Sequence, residues 1–310
     1  MRTPWRLAGD KVLEAGQYIC GVLNVTPDSF YDGGEHFRQE AALKRAREIV
    51  QQGADILDVG GESTRPFSER IEQEEEEARI LPVIRQSCRE FPDNPVSVDT
   101  YKAETARKAL EAGACIVNDV TACGLDPRLR DTLVQYQPGY VLMHSQGRPE
   151  EMQKDPRYQD PLQEIASFFE TEMNRLIKAG LEEERIVLDP GIGFGKRLED
   201  NLAILRHVDR FFTFGRPIFL GHSNKSLWQK LLDLPPGQRQ NATQVATALL
   251  GRKGVSVHRV HEVDLTWQTL QVLRAVEADS EYGPDYLTRA RETAEKIRKK
   301  IGAQKEPLHG

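Results

Sequence analysis

Tyr18-Ile19-Cys20-Gly21-Val22-Leu23-Asn24 is a short apolar run ending on an amide; the amphipathic stretch Ala41–Gln52 and a second short run, Ile56-Leu57-Asp58-Val59-Gly60, come after it. Runs of this length with β-branched residues read as strands buried on both faces. Ala41–Gln52 sets Leu43, Ala46, Ile49 and Val50 on one helical stripe, so the unit is a strand, a crossover helix and a parallel strand. The alternation continues through Val96–Asp99, Cys115–Asp119, Tyr140–His144, Arg185–Asp189, Pro217–His222 and Ser256–His261. Leu162–Gly180 is the longest of the helical stretches quoted, with Ile165, Phe168, Phe169, Met173, Leu176 and Ile177 on its stripe and Gly180 placed as a C-cap. Eight such units with right-handed crossovers close into a (β/α)8 TIM barrel, an α/β fold. An open doubly wound sheet would need a topological switch point and usually has fewer equivalent units.

The flanks lie outside the repeat. Residues 4–17 read as a short N-terminal hairpin capping the barrel floor, with Gly9-Asp10 near its turn, and residues 284–302 as an extra C-terminal helix followed by a polar tail. No internal repeat or low-complexity linker divides the chain, so all 310 residues are expected to form one domain. The net charge of −6 comes without a basic stripe, which argues against a nucleic-acid partner. No run reaches the roughly 18 apolar residues of a membrane helix, and Met1–Gln17 lacks the apolar core of a secretory signal. Cys20, Cys88, Cys115 and Cys123 show no CxxC spacing, which fits reduced, buried thiols in a cytoplasmic protein. The acidic run Glu74–Glu77 reads as a solvated helix face.

Barrel active sites sit at the strand C-termini and the loops that follow them. The polar residues here gather at those positions: Asn24, Asp99, Asn118-Asp119, Met143-His144, Asp189 before Pro190-Gly191-Ile192-Gly193-Phe194-Gly195-Lys196, His222-Ser223-Asn224-Lys225-Ser226, and Arg259-Val260-His261. Asp99 or Asp189 could take adjacent N–H donors bidentately, as from a 2-amino-pyrimidinone edge, and Asn118 suits the same heterocycle. Arg259, His261, Lys225, Asn24 and Ser63-Thr64 could gather a diphosphate with Mg²⁺, an ion that keeps several waters and needs few protein ligands. Together these groups describe a site for an activated heterocyclic methyl diphosphate. Plainer readings stand beside this one. The glycine-rich stretch 191–196 fits neither GxxxxGK[ST] nor GxGxxG and reads as a tight βα turn. Asp119 reads as a binder of loop amides, His144 and His222 as satisfied loop histidines, and Ser223 and Ser226 as caps of the next helix.

At these residues the sequence resembles the dihydropteroate synthase family of pterin-binding barrels. The resemblance rests on Gly21-Val22-Leu23-Asn24-Val25-Thr26-Pro27-Asp28-Ser29-Phe30, on Gly53–Pro66 ending Gly60-Gly61-Glu62-Ser63-Thr64-Arg65-Pro66, and on Ser97-Val98-Asp99-Thr100, Asn118-Asp119-Val120, Asp189–Lys196 and Arg259-Val260-His261. It covers residues 15–275. It implies a transferase of folate biosynthesis that condenses 6-hydroxymethyl-7,8-dihydropterin diphosphate with p-aminobenzoate and releases diphosphate, with Mg²⁺ as cofactor. By the same resemblance Asp99, Asn118, Asp189 and Lys225 hold the pterin, and Arg259 stacks on its ring. Arg259, His261 and Asn24 hold the diphosphate and metal. Thr64, Arg65 and Asp28 complete the p-aminobenzoate site, and Met143 and Ser226 join the substrate-binding set. Lys225, Arg259 and His261 are the catalytic candidates. Barrels of this kind often pair through outer helices, so a homodimer is also an expectation.

Three positions depart from the family pattern. Asn224 stands where the family has Arg in Ser-Arg-Lys-Ser, Glu262 replaces the Asp of Arg-Val-His-Asp, and Ser145 replaces an apolar residue. Loss of a cation at 224 predicts weaker arylamine binding. Two other readings compete: a pterin-binding paralogue without synthase activity, and a corrinoid-dependent methyltransferase of the related barrels. Asn24 with the Arg259/His261 pair favours the synthase, since a mere binder has no use for a diphosphate clamp.

Overall fold

The computed structural model describes residues 3–26, 35–62, 70–147, 152 and 156–277. An antiparallel pair, β1 (Trp5–Arg6) and β2 (Val12–Leu13), precedes the barrel strands β3 (Tyr18–Asn24), β4 (Ile56–Gly60), β5 (Val96–Asp99), β6 (Ile116–Asp119), β7 (Gly139–Met143), β8 (Ile186–Asp189), β9 (Phe219–Leu220) and β10 (Val257–Val260). All neighbours in the eight-stranded sheet are parallel, in the order β8-β7-β6-β5-β4-β3-β10-β9. A parallel bridge between Leu188 and Ile218 joins the two ends. The sheet is thus a closed barrel, as the alternation of short and long segments predicts. The run Pro217–His222 gives the shortest barrel strand, because pairing beyond Phe219–Leu220 is confined to that single bridge.

The outer ring is formed by α1 (Glu35–Gln51), α2 (Gln73–Glu90), α3 (Ala103–Glu111), α4 (Leu129–Tyr136), α5 (Pro161–Ala179), α6 (Leu198–Arg206), α7 (Ser226–Leu232), α8 (Gln240–Lys253) and α9 (Val263–Glu277). In α5, Asp160 caps the N-terminus through Leu162 and Gln163 N–H groups, Pro161 occupies the first turn, and Gly180 ends the helix at φ 114°. Its buried stripe is Leu162, Ile165, Phe169, Met173 and Leu176, while Ile177 is turned outward. The expected C-terminal helix at 284–302 lies outside the described residues.

The barrel interior is layered by strand geometry. Side chains two apart on a strand point the same way, and Cys20, Ile56, Ile116, Val141, Val187, Phe219 and Val257 form an apolar floor. Two residues further along the same strands stand Asp58, Asn118, Met143, Asp189 and Arg259. The hairpin seals the floor from outside. Trp5 and Leu7 pack into the floor cluster against Gly139, where a Cβ would lie 2.5 Å from Leu7 and 3.0 Å from Trp5. The Trp5 indole N–H donates to the Arg185 carbonyl at 2.7 Å.

The acidic run differs from its reading as a solvated face. Glu76 and Glu77 are buried: Lys102 Nζ lies 2.9 Å from Glu76 and 2.7 Å from Glu62, and Lys108 pairs with Glu77 at 2.7 Å. A charged run is periodic too, and two of its residues fall on the inward stripe. Trp5→Ala empties the plug below the floor while leaving the mouth untouched. It should cost about 3–5 kcal/mol of stability, seen as a lower thermal midpoint, with pterin affinity of the folded protein unchanged.

Candidate active site

Arg259 projects from β10 into the middle of the barrel and meets two carboxylates. Its Nε donates to Asp58 Oδ2 at 2.7 Å and its Nη2 to Asp99 Oδ2 at 2.6 Å. Asp58 is fully buried, and the same Oδ2 accepts from Asn118 Nδ2 at 3.2 Å. Burial alone would lower the pKa of the guanidinium, but Asp58 and Asp99 carry it above the ordinary value. Burial raises the Asp99 carboxyl and Arg259 pulls it back. A planar fork between two carboxylates holds the guanidinium plane in one orientation, which a lysine could not achieve. Asp58 stands in the sequence as a lone charge in the apolar run Ile56–Gly60, and the period of two places it inside with the site. That signal was available, yet the reading by strand ends alone passes over it.

On the neighbouring wall Asp189 ends β8, buried, and accepts the Gly191 N–H at 2.7 Å. Burial raises its carboxyl to about 6, against the opposing pull of that N–H and of Lys225. The turn that follows is built on glycines at positive φ: Gly191 at 69°, where a Cβ would lie 1.9 Å from the His144 carbonyl oxygen, so no other residue fits there. Lys225 lies over this turn, with its Cδ 3.4 Å from a Cβ built on Gly193 and its Nζ 4.2 Å from the Phe194 ring centre. Burial, with Arg259 nearby, lowers the Lys225 ammonium to about 8, although Asp189 and Asp99 oppose it.

The remaining candidates fall into place around this centre. Asn24 ends β3, half-buried, in register with Gly60. Met143 is buried among Val120, Met152 and Phe194. His261 Nδ1 lies 3.0 Å from Ser223 Oγ, and Ser226 is exposed as the first residue of α7. Neither serine caps α7; Ser223 serves His261 instead. Thr64, Arg65 and Asp28 lie outside the described residues.

Of the plainer readings, those of Asp119 and His144 hold, and that of His222 holds at one ring nitrogen. Asp119 accepts the Thr121 and Cys123 N–H groups at 2.7 and 2.6 Å and the Tyr140 hydroxyl at 3.0 Å. His222 Nε2 bonds Thr247 at 2.8 Å. His144 Nδ1 meets Lys196 Nζ at 3.0 Å, and that buried amine also donates to the His144 and Phe194 carbonyls. Burial lowers the Lys196 amine to about 7. It ties the loops after β7 and β8 together behind Asp189.

Buried carboxylates with Arg259 and Lys225 among them, at the strand C-termini of a parallel barrel, stand where such folds carry their active sites. A family model described as pterin binding enzyme matches residues 20–261, and the chain belongs to that family. Dihydropteroate synthase of Bacillus subtilis (strain 168) is 41% identical over 245 residues, covering 79% of this chain and 83% of that one. The Escherichia coli (strain K12) dihydropteroate synthase is 37% identical over 261 residues, covering 84% and 91%. Among solved structures, Xanthomonas albilineans dihydropteroate synthase with 4-aminobenzoic acid superposes with a TM-score of 0.83 at 36% identity, covering 90% of this chain and all of that one. The same enzyme in complex with 7,8-dihydropteroate gives a TM-score of 0.80 at 35% identity, covering 88% and 99%.

The Asp58–Arg259 pair should behave as a unit. Asp58→Ala leaves a buried guanidinium with one carboxylate and should cost about 3–5 kcal/mol. In urea unfolding of Asp58→Leu, Arg259→Met and the double variant, the combined loss should fall short of the sum of the two single losses, with Asp99 left without its partner in both Arg259 variants. Additive losses would show that the two side chains are not coupled.

Proposed function

We infer that this protein is a dihydropteroate synthase, a transferase that joins 6-hydroxymethyl-7,8-dihydropterin diphosphate to p-aminobenzoate. The observation that carries the reading is the paired wall of Asp189 and the Asp99–Arg259–Asp58 bridge, inside the region matched by the synthases. Asp189 and Asn118 take the amino-pyrimidinone edge of the pterin, and Lys225 approaches the same ring. Arg259, held flat by its two carboxylates, stacks on the pterin face, and with His261 it faces the diphosphate. The carbon–oxygen bond to diphosphate breaks with its electron pair going to the leaving oxygen, and the arylamine nitrogen forms the new bond to the methylene carbon. The amine then releases a proton to solvent. Asp99 and Asp189 lie near the positive charge that develops on the pterin, and cations at the rim face the charge growing on the leaving group, where such contacts lower a barrier most. No strong base is required, since an arylamine is neutral at pH 7.

Magnesium belongs to the same proposal. Among the described residues no group of three or more His, Cys, Asp or Glu is arranged to hold a metal, and Asn24 offers a neutral oxygen at the end of β3. That donor set fits an ion carried largely by diphosphate oxygens and water. Bound there, Mg²⁺ would neutralise charge on the leaving group. The four free thiols fit the cytoplasmic location expected from the sequence, and no helix among the described residues is long and apolar enough to cross a membrane. We also propose a homodimer through the outer helices. Leu231, Leu232, Val245 and Leu249 are exposed on α7 and α8, around an apolar groove floored by Trp228. Leu249→Asp should then shift the mass in light scattering from dimer to monomer, whereas a monomeric native protein would end that proposal.

The activity is tested by following diphosphate release from the pterin diphosphate with p-aminobenzoate and Mg²⁺. Turnover should stop with chelator and return with Mg²⁺, and elemental analysis of the purified protein should find little metal. Stoichiometric zinc would contradict the metal assignment, and pterin binding without turnover would favour the non-catalytic paralogue. Asp189 gives a pH signature. Ligand N–H donors need the ionised carboxylate, so affinity for a phosphate-free pterin should fall as pH drops below about 6, where Asp189 takes up its proton. Asp189→Asn should weaken binding about ten-fold or more and abolish the acid limb in calorimetric titrations. A folded Asp189→Asn protein with native affinity removes this residue from the site.

A further inference from the structure

Two of the positions at which the sequence departs from its family touch each other. Asn224 follows β9 and Glu262 follows β10, and the Asn224 Nδ2 group donates to both carboxylate oxygens of Glu262, at 2.9 and 3.1 Å. A second rung lies beside the first, where Ser223 Oγ meets His261 Nδ1 at 3.0 Å and accepts the His261 N–H at 3.3 Å. The backbone of Asn224 is itself fixed. Its φ is 54°, in the left-handed region that asparagine tolerates better than most residues. Its N–H donates to Thr243 Oγ1 and its carbonyl accepts from Arg239 Nη1, both at 3.2 Å. Glu262 is anchored on the other side, since its carbonyl accepts the Thr266 N–H in the first turn of α9. Lys225, over the Asp189 turn, flanks this ladder, and His261, just past Arg259's strand, is part of its second rung.

We propose that Asn224 and Glu262 are a matched pair of positioning residues, a short donor facing a longer acceptor, that sets Lys225 and His261 relative to Arg259. Neither side chain touches substrate. The position of Asn224 is then not a lost cation at the arylamine site. An arginine placed there would meet the Glu262 carboxylate before it met a substrate anion, so Asn224→Arg alone should leave the p-aminobenzoate KM unchanged. Reach is what the pair has to conserve. Glu262→Asp withdraws the acceptor by one methylene and breaks the contact, while a longer donor at 224 can reach the shorter acid again.

The proposal rests on the synthase reading for its kinetic test, and a second measurement stands apart from it. In steady-state kinetics Glu262→Asp and Asn224→Ala should each lower kcat about ten-fold, with the p-aminobenzoate KM within two-fold of native and the variants still folded at the assay temperature. Asn224→Arg/Glu262→Asp should recover kcat to within about three-fold. Loss confined to the p-aminobenzoate KM, or a double exchange no better than Glu262→Asp alone, would overturn it. Absence of turnover in the native protein would instead sink the synthase reading. The ladder is then judged by urea unfolding of Asn224→Ala, Glu262→Ala and their combination: coupled sites give a double variant whose midpoint shift is smaller than the sum of the two single shifts, and a simple sum overturns the pairing.

Discussion

A guanidinium buried in the throat of the barrel, between Asp58 and Asp99, is the constraint around which the site is arranged. A buried charge without partners would cost several kcal/mol. Two carboxylates on β4 and β5 meet that need, and they also decide where the plane of the guanidinium lies. Asn118 on β6 donates to Asp58, so three consecutive strands and β10 are bound to one another by polar contacts at the height where a ligand would enter. Below that level the barrel is apolar and sealed by the hairpin; above it the loops begin. The boundary between packing and chemistry falls within two residues on each strand, because that is the period of the side chains.

The rest of the mouth follows from loops whose backbones are fixed by different means. After β8, glycines at positive φ bring the chain close to the His144 carbonyl, and Lys196 holds the loop from behind. After β6, Asp119 gathers amides of its own loop. After β9 and β10, side chains reach across from one loop to the next. Asp189 and Lys225 thus act on each other electrostatically from separate supports, and burial brings their pKa values to about 6 and about 8.

Much of this was legible in the sequence, for a physical reason. Strands buried on both faces and helices with one apolar stripe leave periodic traces, and the barrel places its chemistry at strand ends. Asp99, Asn118, Asp189 and Arg259 could therefore be picked out by position. Asp119 as a loop organiser and Gly191–Lys196 as a tight turn were readable from local chemistry. What could not be read were pairings between residues far apart in the chain. Arg259 and Asp58 are separated by 201 positions, and nothing near either one announces the other. Glu76 looked solvated because its partner, Lys102, lies outside its own helix, and Ser223 looked like a helix cap because His261 lies 38 positions away. Asn224 and Glu262 read as two separate departures until their side chains are seen in contact.

Arg259 is held by Asp58 before any substrate arrives. Hydrogen exchange at the arginine Nε–H, followed by nitrogen-15 NMR of the ligand-free protein and assigned by comparison with Arg259→Lys, reads that contact directly. Because Nε donates to a fully buried carboxylate, the Arg259 Nε–H should exchange far more slowly than those of surface arginines and should lose its protection in Asp58→Asn. An Nε–H that exchanges as fast as the surface arginines, or one whose protection is indifferent to Asp58, would contradict it.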